Sequence, residues 1–178
     1  MTGHFWTNRI SSLNPANLYS CYPKLVSIVI TEASPLNKEV AKILEIHHNF
    51  CTSTTPADCC HVMNVSQLIS PEIEVFAARL DGECVGVGAL RVLNESHGEL
   101  KSMHTLESTR GRGVGRAVVE HISNHAKSKG ITRMSLETGT NDAFKAAREL
   151  YFSLGFEICE PFGDYSISEN NVYMTKVL

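Results

Sequence analysis

At 178 residues the chain is long enough for one domain with a substantial core and too short to expect two. Its hydrophobic fraction of 43%, charged fraction of 20% and formal net charge of −3 describe an ordinary globular protein and argue against broad nucleic-acid binding. No run of about 18 apolar residues occurs, so no membrane span is expected. The six cysteines (Cys21, Cys51, Cys59, Cys60, Cys84, Cys159) lack the density of a secreted disulfide scaffold. Without a Cys-x-x-Cys pair they predict no metal site, even with His47, His48 and His61 nearby. The expected compartment is a reducing cytoplasm.

Residues 1–25 are mixed and polar, with no apolar h-region. They are read as an N-terminal extension, poorly ordered and not a signal peptide, ahead of a single domain over 26–178. Leu25 to Thr31 is a β-rich apolar run and the first expected strand. Ser34-Pro35 then reads as an N-cap and a first-turn proline, opening a helix to about Phe50 with Leu36, Val40, Ile43, Leu44 and His47 at helical spacing. Residues 51–71 are expected as loop with a short helix. Strands follow at 73–80 and 83–93 across the Asp81-Gly82 turn, and a third at 99–105, making an antiparallel meander.

The next helix, from Arg116 to Lys129, carries Val118, Ile122 and Ala126, with Val114 ahead of them, on one face and stops at Gly130. A strand at Met134–Thr138 should lie parallel to 99–105 through this crossover. Asn141 or Asp142 caps a further helix to about Ser153; strands at 156–159 and 171–178 complete the sheet. The expected architecture is a mixed-sheet α/β (α+β) domain of about seven strands with flanking helices.

Between the third strand and the second helix lies Arg110-Gly111-Arg112-Gly113-Val114-Gly115, followed by Arg116. Glycines let a backbone approach a ligand closely. The unpaired N–H groups of a first helical turn and the helix dipole then favour a phosphate, and three arginines suit a diphosphate. No Gly-Lys-Ser/Thr occurs, which excludes a P-loop. Arg116 stands where a dinucleotide fingerprint needs its third glycine.

The pattern Arg-x-x-Gly-x-Gly resembles the acyl-CoA motif of the GCN5-related N-acetyltransferase (GNAT) superfamily. The resemblance continues at Leu150-Tyr151-x-x-x-Gly155-Phe156 and in the strand order, over about residues 26–178. Gly98 to Met103, Glu137-Thr138-Gly139 and Pro161-Phe162-Gly163-Asp164-Tyr165 are similar to a bacterial branch of acetyltransferases, the YsnE type, which assigns no secure acceptor.

The resemblance implies an acetyl-CoA-dependent N-acetyltransferase with a GNAT-like fold, a small-molecule amine acceptor and no metal. A homodimer is compatible with it; nucleic acid and membrane are not expected partners. It places the diphosphate on Arg110, Gly111, Arg112, Gly113, Val114, Gly115 and Arg116, and the pantetheine arm on backbone around Met103, His104 and Thr105. Glu99, eleven residues before Arg110, takes the position of a glutamate base, or else pairs with Lys101 or a neighbouring strand. Tyr151 matches the tyrosine that protonates the departing thiolate. Asn141 is expected as a helix cap or a cofactor contact, since Phe144 stands where the family often has asparagine. Asp164 and Tyr165 are expected on an acceptor-pocket wall, and His104 as a second proton carrier. A non-catalytic acyl-CoA sensor on the same fold and an O-acyltransferase stand as alternatives.

Overall fold

The computed structural model describes residues 27–178; the expected N-terminal extension lies outside the described residues. Among the described residues seven strands form one sheet: β1 (Ile28–Glu32), β2 (Ile73–Leu80), β3 (Glu83–Asn94), β4 (His97–Thr105), β5 (Arg133–Gly139), β6 (Glu157–Cys159) and β7 (Asn171–Val177), in the order β1-β2-β3-β4-β5-β7-β6. Three α-helices among the described residues flank it: α1 (Lys38–Thr54), α2 (Val114–Ser128) and α3 (Lys145–Ser153).

The alternation of β2 sorts its side chains between two cores. Phe76, Ala78 and Leu80 meet the α2 face with Val114, Val118, Ile122, Met134, Leu136 and Tyr151. Ile73, Val75 and Ala77 meet the α1 face with Val40, Ile43, Leu44 and Leu68. Gly88 on β3 lets α2 seat closely, because a Cβ there would lie 2.7 Å from Val118 Cγ1 and 3.0 Å from Ile122 Cδ1.

Two expectations shift at the helix starts. The cap of α1 is Asn37, whose side chain accepts from the N–H groups of Glu39 and Val40, while Ser34 Oγ accepts from Leu36 N–H in the turn before. Asn has the short acceptor that the orphan first-turn amides require, so the helix begins one turn later than Ser34-Pro35 suggests and runs on to Thr54. Asn141 caps a single 3-10 turn over Asp142–Phe144 before α3, accepting from Ala143 N–H and donating to the Thr54 carbonyl. In place of the short helix expected over 51–71 there is one 3-10 turn, Ala57–Cys59.

β4 and β5 pair in parallel as expected, but over a shorter stretch than expected. The pairing covers only His97–Glu99 against Arg133–Ser135, after which the two strands part. β4 stays on β3 and β5 stays on β7, so a wedge opens in the middle of the sheet. A β-bulge accompanies the parting: Val87 faces His104 and Ala89 faces Lys101, leaving Gly88 opposite two residues, with Ser102 at φ 52°. An extra residue bends and twists its strand, which turns β4 away from β5.

Candidate active site

The wedge is a cavity of about 490 Å³. Residues 100–105 of β4 form one wall and Glu137–Gly139 of β5 the other, with His47, Phe50 and Cys51 of α1 above and Tyr151 of α3 below. At one end it meets the start of α2. Gly113 caps that helix in the left-handed region (φ 84°) and offers no side-chain acceptor, and the first turn carries no acidic residue. Gly111 is also left-handed (φ 75°), and a Cβ on either glycine would meet nothing within 4 Å. The first amides of α2 have no intrahelical carbonyl to donate to, and Val114, Gly115 and Arg116 line the cavity. Arg110 and Arg116 line the same end, while Arg112 is exposed and off the wall. Arg116 Nη2 donates to Ser153 Oγ at 2.8 Å, which draws it along α3.

An uncapped helix N-terminus with flanking arginines fits a diphosphate. A strand edge freed of its partner fits an extended, amide-bearing arm. Together they fit an acyl-CoA. Residues 41–156 match the Acetyltransferase (GNAT) family model. The chain belongs to the GNAT family. It is 40% identical over 141 residues to "Uncharacterized N-acetyltransferase YsnE" of Bacillus subtilis, covering 79% of this chain and 93% of that protein. It is 32% identical over 153 residues to an IAA acetyltransferase of Azospirillum brasilense, covering 85% and 99%. A GNAT acetyltransferase of Elizabethkingia anophelis, solved with acetyl-CoA bound, shares the fold at a TM-score of 0.63 and 18% identity over 85% of this chain and 98% of that one. Family membership makes this GNAT protein an acyltransferase.

Glu99 does not stand on the cavity wall of this GNAT domain. Its side chain is 1% exposed beneath Lys101. Its Oε1 accepts from Lys101 Nζ at 3.0 Å and from the Tyr165 hydroxyl at 2.6 Å, and Lys101 also donates to that hydroxyl at 2.7 Å. Arg91 Nη1 lies 3.7 Å from Oε2. Oε1 is thus held by a lysine and a phenol, Oε2 makes no hydrogen bond among the described residues, and Glu99 is not among the residues that line the cavity. The neighbouring-strand and Lys101 pairing weighed from sequence is what the side chain does.

Tyr165 is therefore drawn toward Glu99. Burial, then Glu99, push its phenol well above its ordinary value. Its ring meets His61 edge-on at 5.0 Å, so it supports the His61 side of the cavity from behind. Asp164 is exposed on the same loop and away from the cavity, which the sequence could not show because a turn sends adjacent side chains in opposite directions.

Met103, His104 and Thr105 all line the wedge. The Met103 side chain packs into the α2-side core, leaving its backbone on the edge. His104 packs against His47 at 5.6 Å, and burial followed by Arg110 lowers its pKa, so the ring is neutral. Tyr151 is buried with its ring edge-on to Phe156, and burial raises its phenol, so it keeps its proton. Its hydroxyl makes no hydrogen bond among the described residues. Phe144 closes one side, packed on Gly139, where any Cβ would strike its ring at 2.4 Å.

Sequence reasoning missed one group of consequence. Glu137, quoted only as part of a family-like tripeptide, faces the cavity from β5, and burial pushes its carboxyl up to about 7. The available signal was a lone carboxylate inside a strand whose neighbours Leu136 and Thr138 are buried.

Proposed function

We propose that this protein moves an acetyl group from acetyl-CoA to the amine of a small-molecule acceptor by direct attack. One observation carries the reading: the free edge of β4 and the uncapped N-terminus of α2 open onto the same cavity. Acetyl-CoA, when bound, supplies an activated acyl group on a good leaving thiolate. The amides of Val114, Gly115 and Arg116, with Arg110, would hold the diphosphate. Backbone groups near Met103 and Thr105 would pair with the arm as an added strand, and an N–H beside the Ser102 bulge would stabilise charge developing on the thioester oxygen.

Tyr151 is the acid in this reading. Its hydroxyl gives its proton to the departing sulfur, and the nitrogen's surplus proton returns to the Tyr151 oxygen. Because burial disfavours the phenolate, the two transfers must keep pace, which makes Tyr151 a relay. Glu99 acts one layer back, positioning Lys101 and Tyr165. The N-acetyltransferase name of the Bacillus relative supports nitrogen as the acceptor atom.

Thermal unfolding with acetyl-CoA, CoA, ATP and NAD checks the cofactor, and free-thiol release over amines, amino acids, polyamines and peptides checks the reaction. Either CoA form should add about 2.7 kcal/mol at one hundred times its Kd. No shift with either overturns the reading, and a shift without turnover leaves only a binding module. Tyr151→Phe should lower kcat about 100-fold while acetyl-CoA affinity holds. Wild-type turnover in that variant removes Tyr151 as the acid.

A further inference from the structure

The acetyl-transfer reading leaves open which group takes the acceptor's proton, since Glu99 lies off the wall. We propose that Glu137 is the catalytic base, and that its carboxylate first holds the acceptor as an ammonium ion in the cavity. This rests on the function proposed above and goes beyond it in assigning the acceptor end of the site.

Geometry is the first ground. Glu137 projects into the cavity from the β5 wall, across the wedge from the bulged stretch of β4. Tyr151 lines the same cavity, which places an acid and a base at one space. Its partners are the second ground. The Glu137 carboxylate makes no hydrogen bond or ion pair among the described residues. Glu99, by contrast, is held by Lys101 and Tyr165. Lys101 is the cation that faces Glu137, and Glu99 already engages it. A half-buried carboxylate that Lys101 attracts without pairing to it lacks a bonded counter-ion, and an alkylammonium supplies one.

The surroundings complete the argument. The titratable groups facing Glu137 are Lys101 and Glu99 from β4, Cys51 from α1, Tyr151 from α3, Tyr165 from the loop before β7, and Tyr173 from β7. Burial raises the carboxyl to about 7, and Glu99 adds to it against the pull of Lys101. A base poised there is ionised at mildly alkaline pH and still basic enough to accept a proton.

The step balances. The ammonium gives one proton to Glu137, and the freed nitrogen lone pair forms the C–N bond as the C–S bond breaks. Sulfur takes the Tyr151 proton, the nitrogen's second proton restores Tyr151, and Glu137 releases its proton to water. Amide, CoA thiol and one proton result.

Two measurements test this. In the first, calorimetry follows phenethylammonium chloride binding to CoA-saturated protein. Wild type should bind at least about tenfold more tightly than Glu137→Gln at pH 8, and the gap should close at pH 5.5, where Glu137 is protonated. Equal affinities at pH 8, or no binding to either protein, overturn the proposal. In the second, the best acceptor from the thiol-release survey is used. Glu137→Gln should lose about 100-fold or more in kcat, Glu137→Asp should recover part of it, and the wild-type rise in rate near pH 7 should vanish in the Gln variant. Wild-type kcat in Glu137→Gln overturns it. Failure of the underlying acetyltransferase reading shows separately, as a missing CoA shift in the wild type.

Discussion

Burial is the largest influence on the protonation of His47, Cys51, His104, Glu137 and Tyr151 around the wedge. His47 falls to about 3 and Cys51 rises to about 12, each chiefly through loss of water, so the roof contributed by α1 is uncharged. The effect on Cys51 has a chemical consequence. A thiolate beside a thioester would take the acyl group itself, and a thiol held protonated does not. Burial brings the Glu137 carboxyl to about 7, inside the physiological range, and its shift must appear in stability. Its folded-state pKa is about 7 against an ordinary 4.5, so the folded protein binds more protons between those values. The stability this gives is complete below pH 4.5 and is lost as pH rises through 7. Glu137→Gln removes the penalty. The variant should therefore be more stable than wild type by about 3 kcal/mol at pH 8 and indistinguishable at pH 4. Urea unfolding at both pH values measures it, and a variant no more stable at pH 8 would place Glu137 in water.

Among the elements, periodicity and turn chemistry carried most of the fold. The Asp81-Gly82 turn and alternating β2 read directly, as did the apolar face of α2, because each depends on local spacing. The parting of β4 from β5 did not, since it depends on which residues lie opposite the Ser102 bulge, and register is a relation between strands. For the same reason the glycine-rich, uncapped start of α2 was legible while the surroundings of Glu99 and Glu137 were not. A glycine run next to a helix start announces its chemistry locally, but Glu99 and Glu137 differ only in what surrounds them. Gly88 joins these scales. A Cβ there would come within 2.6 Å of Met103 Sδ and 2.7 Å of Val118 Cγ1, so Gly88→Ala must push α2 or Met103 aside. Overpacking of this kind costs about 1–3 kcal/mol. The urea midpoint should fall accordingly, with weaker CoA binding because Met103 sits on the cavity wall. An unchanged midpoint would mean that α2 does not seat this close to β3.

At the scale of the whole molecule the sheet is two half-sheets, β1–β4 and β5–β7, joined by a short parallel ladder over His97–Glu99 and by packing around α2 and α3. A ligand lying in the wedge would bridge both halves and supply the strand partner that β4 lacks beyond Glu99. Stabilisation by CoA should therefore have a fixed address. Hydrogen exchange with saturating CoA should slow at the β5-facing amides of residues 101–105 and at the first-turn amides of α2. Amides already paired across β2 and β3 should change only as global stability does, by about 2.7 kcal/mol at one hundred times Kd. Protection confined to the start of α2 would mean that the diphosphate docks while the arm stays in solvent, leaving the thioester away from Tyr151. Protection on β4 joined by new protection at Leu136–Gly139 would instead mean that the wedge narrows on binding, bringing Glu137 toward the acyl group.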